Sequence, residues 1–423
     1  MKYLAVLSVA MVSTVVLSAC AGGGGDETDT PGTVAVSMYN HPWTDQAKKL
    51  IPEFEAETGI KVDLSTSDQP QLEVKYNVQL NSGSSDLDVI MFSPQQNGKL
   101  YVQNNWMTDL TEYANASSEW DWHDFQPGPR ESVTIDDKIY GVPIVTDTNI
   151  LYYNKELLEA AGVAVPTTVE ELESAAKTLT KDGVSGFISR GALTVAVSPF
   201  SSFLFSFGGD YTDASGNASV DSPEAIAAFE YYGKLLKDYG PAGVGDMSWP
   251  QAMPVFTSGK AAMMTDADSL FSKVTDPAES QVADNVGYAM VPAGADGSKT
   301  YNVSSNGLAI NQASKNKDNA WKFIEWITNK TNTITMQAAG VPSARASAWS
   351  DPEGTKGFPA DLLDVMVKSR ETGVGHNRPQ VIQVARASEV VSGPITAAIN
   401  GQDVEAAAKI AQKNLQEIIE EDK

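Results

Sequence analysis

The sequence predicts an α/β fold in two lobes, on three observations. The chain has 423 residues, and roughly 390 of them follow an apolar leader, a length at which one core usually divides into two domains. Beyond the leader the chain opens as strand, loop, helix, strand, and apolar runs keep alternating with helical patterns, which is the signature of an α/β chain. The stretch Tyr140–Val163 reads as two short apolar runs separated by Thr146-Asp147-Thr148-Asn149, followed by a helix that Asn154 caps and Gly162 closes. Asp147 therefore falls between two buried strands, where a carboxylate must face a wet cleft or find donors.

Residues 1–19 read as a leader. Lys2 gives a thin positive end, and the apolar run Leu4–Leu17 is too short to span a bilayer as a lasting helix. Leu17-Ser18-Ala19-Cys20 then reads as a lipoprotein signal, with Cys20 the lipidated new N-terminus and residues 20–32, which contain Gly22–Gly25, a flexible tether. Cys20 is the only cysteine, so no intrachain disulfide forms. The expected location is the outer face of the cell membrane, held by the lipid. No segment after Cys20 is apolar enough to span a membrane, and no short-period repeat is visible. The formal net charge of −24 argues against nucleic acid or an anionic lipid surface as a partner. The folded part is expected to be a monomer.

The folded chain begins near Thr33. Val34–Tyr39 reads as the first strand and Asn40-His41-Pro42-Trp43 as a loop. A helix capped by Thr44 then carries Ala47, Leu50, Ile51 and Phe54 inward, with a kink at Pro52 and an end at Gly59. Ile60–Leu64 is the next strand. This opening places His41 and Trp43 at the carboxyl end of a strand, where open α/β sheets present ligands. Leu87–Phe92 is a strand whose end carries Gln95 and Gln96, side chains that donate to and accept from hydroxyls. The aromatic and acidic run Glu119–Phe125 reads as a cap over a core edge. Thr168-x-x-Glu171 is a capping box, and Ser222-Pro223 starts a helix that ends at Gly240. Asn285–Pro292 and Thr300–Ile310 read as strands, Asp318–Thr328 and Asp403–Ile419 as amphipathic helices.

Four collinear blocks resemble one family. They are Thr58-Gly59-Ile60-Lys61-Val62, the stretch Tyr140–Val163, Phe256-x-x-Gly259-Lys260-Ala261-Ala262-Met263, and Asn306–Ile310 through Trp321-x-Phe323-Ile324. The set is similar to the sugar-binding proteins of ABC importers, the group that includes maltose-binding protein. That resemblance implies a periplasmic-binding-protein-like fold, two α/β lobes joined by a multi-strand hinge with a ligand cleft between them. It implies crossings near Thr146–Asn149, near Gly287 and near Gln312. Lobe 1 is then 33–146 plus 287–311, and lobe 2 is 147–286 plus 312–423. It further implies a carbohydrate ligand, an oligosaccharide, monosaccharide or polyol, handed to the transmembrane permease of the importer, with no cofactor.

The resemblance also implies site residues. Asp147 stands at the first crossing, and Trp249 stands seven residues before Phe256, where the family has a sugar-facing aromatic. Asn306 lies where the family brings backbone to ligand. Asp266 stands where the family's tryptophan is absent, and Gln95 and Gln96 replace its usual charged pair. Arg345 and Arg378 lie in loops near the cleft, to bind ligand or to pair with acids. His41 and Trp43, expected from their place at the carboxyl end of the first strand and not from the resemblance, complete the set.

Two other classes stay open at this level. A secreted glycoside hydrolase would need a pair of acids such as Asp136/Asp137 or Asp266/Asp268, and a binder of polyamines or peptides would need more acids than a sugar site. The chain has no nucleophile elbow, no phosphate-cradling glycine loop and no His-Glu-His metal spacing.

Overall fold

The computed structural model describes residues 32–422. The expected leader at 1–19, Cys20 and the tether up to residue 31 lie outside the described residues. Among those described, no helix is long and apolar enough to cross a membrane. Ten strands are present: β1 (Thr33–Tyr39), β2 (Lys61–Ser67), β3 (Val89–Phe92), a small hairpin of β4 (Thr134–Ile135) and β5 (Lys138–Ile139), β6 (Val142–Asn154), β7 (Met263–Ala267), β8 (Val286–Ala289), β9 (Thr300–Ile310) and β10 (Gly373–Val374). The main sheet runs β2-β1-β3-β9-β6-β7, with β8 on β6 and β10 on β9. The parallel β2-β1-β3 part carries helices Pro42–Thr58 and Gln69–Asn81 as its connections, as right-handed crossovers require.

Two long strands tie the molecule together. β6 and β9 pair antiparallel from Val142↔Leu308 to Thr148↔Asn302, with shifts in register at Val145. One end of each belongs to a first hydrophobic core, with Val142, Ile144, Val145 and Leu308–Ile310. The other end belongs to a second core, with Ile150–Tyr152, Tyr301 and Val303. The expected pair of strands at 140–145 and 150–153 is thus one strand. The polar interval does not break it, because β9 supplies ladder partners as far as Thr148 and β7 takes over from Asn149.

The crossings differ from expectation at two places. β8 does not cross: it pairs with the second-core end of β6, and a side chain at Gly287 would stand 2.3 Å from the Tyr153 ring. The return is made inside β9. Nor does the chain leave the first lobe near Gln312. Helix Lys317–Ile327 buries Ala320, Phe323, Ile324 and Ile327 in the first core, and Met336, Val341 and Ala344 follow them. The third crossing lies just after, where Ser343 bridges to Val145 and Arg345 to Phe125; Trp349 and Phe358 already pack on the second core. Residues 312–345 are therefore reassigned to the first lobe.

Local sequence accounts for several helix ends. Thr168 and Glu171 close the expected capping box, Ser222 and Asp403 accept from the backbone at the third helical position, and Gly59 ends its helix with φ 73°. The helix expected to start after Thr44 starts at Pro42 instead. His41 is its cap, accepting from Trp43 N at 3.1 Å through Nδ1, so proline takes the first helical position. The run Glu119–Phe125 does cap the first core, with Trp120, Trp122 and Phe125 buried together.

Candidate functional site

A cleft of about 690 Å³ opens between the lobes, within the range of roughly 300–1,000 Å³ usual for small-molecule sites. Its floor is the hinge itself. Side chains alternate across a strand, so Val145 and Asp147 of β6 and Val303 and Ser305 of β9 face the cleft, with Asn306 beside them. The first lobe adds Asn40, His41, Asp45, Gln69, Gln95 and Gln96. The second adds Arg190, Ser198, Trp249, Ser269, Asn377 and Arg378. Gly340–Pro342, entering the third crossing, close the floor.

Asp147 is held by its neighbours. Thr146 N donates to Pro342 O at 3.1 Å and Thr148 N to Asp268 Oδ1 at 3.0 Å. Both flanking residues are thus pinned on the far face, which aims Asp147 into the cleft. Its Oδ1 is shielded from water yet has no hydrogen-bond partner. Burial pushes the carboxyl above its ordinary pKa; the Ser269 hydroxyl, the Arg190 charge and the Ser305 hydroxyl pull the other way, while Asp266 adds to the rise. A desolvated acceptor without a donor is what a ligand hydroxyl satisfies.

The remaining expected residues divide. Gln95 and Gln96 sit in the first turn of helix Pro94–Gln103 and line the cleft, as do Asn306, Trp249, His41 and Arg378. Trp249 opens helix Trp249–Thr257 under a Ser248/Gln251 capping box, lines the cleft and stays 36% exposed. His41 is occupied as a helix cap, and burial lowers its pKa to about 4, leaving it neutral near pH 7.

Three expected residues do not face the cleft. Trp43 is buried in the first core, because the helix starting at Pro42 turns it inward. Asp266 is buried and taken by Arg190, whose Nε donates to Oδ2 at 3.0 Å and whose Nη2 donates to Oδ1. Arg345 is fully buried: Nη1 pairs with Asp124 at 3.0 Å, Nε donates to Thr328 O at 2.7 Å, and the guanidinium lies 4.0 Å from the Phe125 ring centre. Of its two open readings, the ion pair is the one realised.

Arg190 was not singled out from the sequence, although it ends an extended run, Phe187-Ile188-Ser189, just before Gly191; such strand ends are where α/β sheets meet ligands. Burial opposes its charge, but Asp266 more than offsets this and holds its pKa above the ordinary value. The acid pairs that a hydrolase would use are engaged elsewhere. Asp136 and Asp137 form the exposed turn between β4 and β5 with φ of 50° and 61°. Asp268 is buried against Arg370 at 3.0 Å.

Comparisons with known proteins agree with this architecture. The chain is 27% identical over 370 residues to the erythritol/L-threitol-binding protein of Mycolicibacterium smegmatis, covering 78% of this chain and 77% of that one. An ABC-transporter solute-binding protein from Agrobacterium radiobacter, solved with ribitol, superposes with a TM-score of 0.80 at 28% identity, covering 91% of this chain and 98% of that chain. One from Agrobacterium vitis with bound D-mannitol gives 0.77 at 26%, covering 92% and 99%. The family model described as bacterial extracellular solute-binding protein matches residues 40–334. With its two lobes, three crossings and interlobe cleft, this chain belongs to the bacterial extracellular solute-binding proteins.

Proposed function

We propose that this protein is the lipid-anchored solute receptor of an ABC importer, and that it grips a small polyhydroxylated ligand, a polyol or a monosaccharide, and passes it unchanged to the permease. The observation that carries the reading is the cleft floor, where the shielded Asp147 Oδ1 waits without a donor among Ser269, Ser305 and Asn306. The relatives named or solved with erythritol, threitol, ribitol and mannitol support the same ligand class.

Size follows from the aromatics. With Trp43 buried, Trp249 is the one indole among the lining residues. A long oligosaccharide needs several flat faces for its rings, so a short ligand fits better than a maltodextrin. A micromolar Kd requires about −8 kcal/mol. Hydrogen bonds to Asp147, Arg190 and Arg378, at about 1.5–3 kcal/mol each, reach that scale with the Trp249 face. A cationic ligand is disfavoured, since Arg190, Lys273 and Arg378 line the cleft against Asp45 and Asp147. The anchor rests on Leu17-Ser18-Ala19-Cys20.

Thermal shift against sugars, polyols, polyamines and short peptides tests the reading. Stabilisation by at least one polyol or sugar is expected. A response to polyamines or peptides alone contradicts it, and cleavage of a glycoside would move the protein to the enzymes.

A further inference from the structure

The cleft wall carries a cation without a counter-ion. Arg378 lines the cleft, and among the described residues no Asp or Glu pairs with it. Its side-chain acceptor is the neutral Asn377 Oδ1 at 3.3 Å, while Asn377 Nδ2 is spent on Ser198 Oγ at 2.9 Å. Burial lowers the Arg378 pKa; the Tyr211 and Tyr301 phenols oppose this, and the nearby Arg190 charge adds to it.

The other strongly shielded arginines provide the contrast. Arg190 holds Asp266, Arg345 holds Asp124 at 3.0 Å and Arg370 holds Asp268 at 3.0 Å. Each has a carboxyl group within contact distance, as buried cations usually do. A shortage of acids is not the reason Arg378 differs, since the chain has 54 Asp and Glu against 30 Lys and Arg. What sets Arg378 apart is its place: it opens onto the volume that a ligand would fill.

We propose that the ligand itself supplies the missing anion: a polyhydroxylated carboxylate, a short aldonate or a uronate, whose carboxylate pairs with Arg378 while its hydroxyls reach Asp147. The inference rests on the polyhydroxyl reading above and narrows it. Guanidinium and carboxylate match in bidentate geometry, and Asp147 disfavours the reverse orientation by like-charge repulsion.

Calorimetric titration with matched pairs tests this: threonate against threitol, xylonate against xylitol, gluconate against sorbitol, galacturonate against galactose. In the best-bound pair the acid is expected to bind about tenfold or more tighter than its neutral counterpart. Arg378→Gln should erase that preference, and Arg378→Lys, which keeps the charge but not the fork, should retain part of it. The apo melting temperature of each variant shows whether it folds, and Arg378→Lys decides the matter if Arg378→Gln does not. Neutral members that bind as well as the acids, or a preference that survives Arg378→Gln, overturn the anionic ligand and leave the polyhydroxyl reading standing. Binding by neither member of any pair removes both.

Discussion

Asp147 is a carboxylate that the fold desolvates and leaves half unanswered. Replacing it by asparagine keeps the shape but removes the charge-assisted acceptor. Asp147→Asn is expected to weaken ligand binding by about tenfold or more, the equivalent of about 1.4 kcal/mol. Its apo melting temperature should stay level or rise, because a buried unsatisfied oxygen is costly. Calorimetry and thermal melts check both parts. The pH dependence has opposite signs for the two states. With its folded pKa raised, Asp147 lets the apo protein gain stability as pH falls, whereas ligand binding, which needs the ionised form, weakens over the same fall.

Asp268 gives a cleaner window. Burial is the largest influence and lifts its pKa to about 7, against the pull of Arg370. The folded state then holds a proton that the unfolded chain releases. Stability attributable to this group is present below the ordinary aspartate range and is lost as pH rises to about 7, at up to about 1.4 kcal/mol per pH unit. Urea unfolding at several pH values should show Asp268→Asn lacking that part of the slope. At this scale the sequence was partly legible. Asp147 and Trp249 stood out through their spacing to landmark motifs, but whether Asp266 or Trp43 faces inward depends on a helix start and on an arginine partner, neither of which spacing encodes.

At the scale of elements, β9 and most of the expected capped helices were readable because local chemistry sets them, through β-branched runs, Ser, Thr and Asn caps and glycine at left-handed ends, whereas β6 read as two strands because its polar interval hides the ladder that joins them. The crossings were not, because they depend on which core claims a segment. Helix Lys317–Ile327 has an apolar face that suits either lobe, and only packing assigns it to the first. Arg345 anchors the return to the second lobe through Asp124, and the Asp124 carboxylate also accepts from Ser347 N at 2.9 Å. Arg345→Met should therefore destabilise the protein by about 3–5 kcal/mol, since it leaves a shielded carboxylate short of its cation. If chemical denaturation shows less than about 1 kcal/mol, the pair is not the anchor.

At the scale of the molecule, the proposed function requires the lobes to move about β6, β9 and the third crossing. Among the described residues and away from the three crossings, Gln95 Nε2 donates to Gly375 O at 3.3 Å and Lys99 Nζ to Gln380 O at 2.6 Å across the lobes. Removing both, in Gln95→Ala/Lys99→Ala, should enlarge the ligand-free radius of gyration in X-ray scattering. Ligand should reverse that change, because it favours the closed form only through its better contacts there. An unchanged radius would show that these bonds do not hold the lobes together.

The central claim is that a small polyhydroxylated solute lies between the lobes against Asp147. A crystal structure of the protein with its best-binding polyol, sugar or sugar acid tests it most directly. The account predicts the ligand on the β6–β9 floor, a hydroxyl within hydrogen-bond distance of Asp147 Oδ1, and one face against Trp249. A ligand bound outside the interlobe cleft, or inside it with Asp147 untouched, would contradict it.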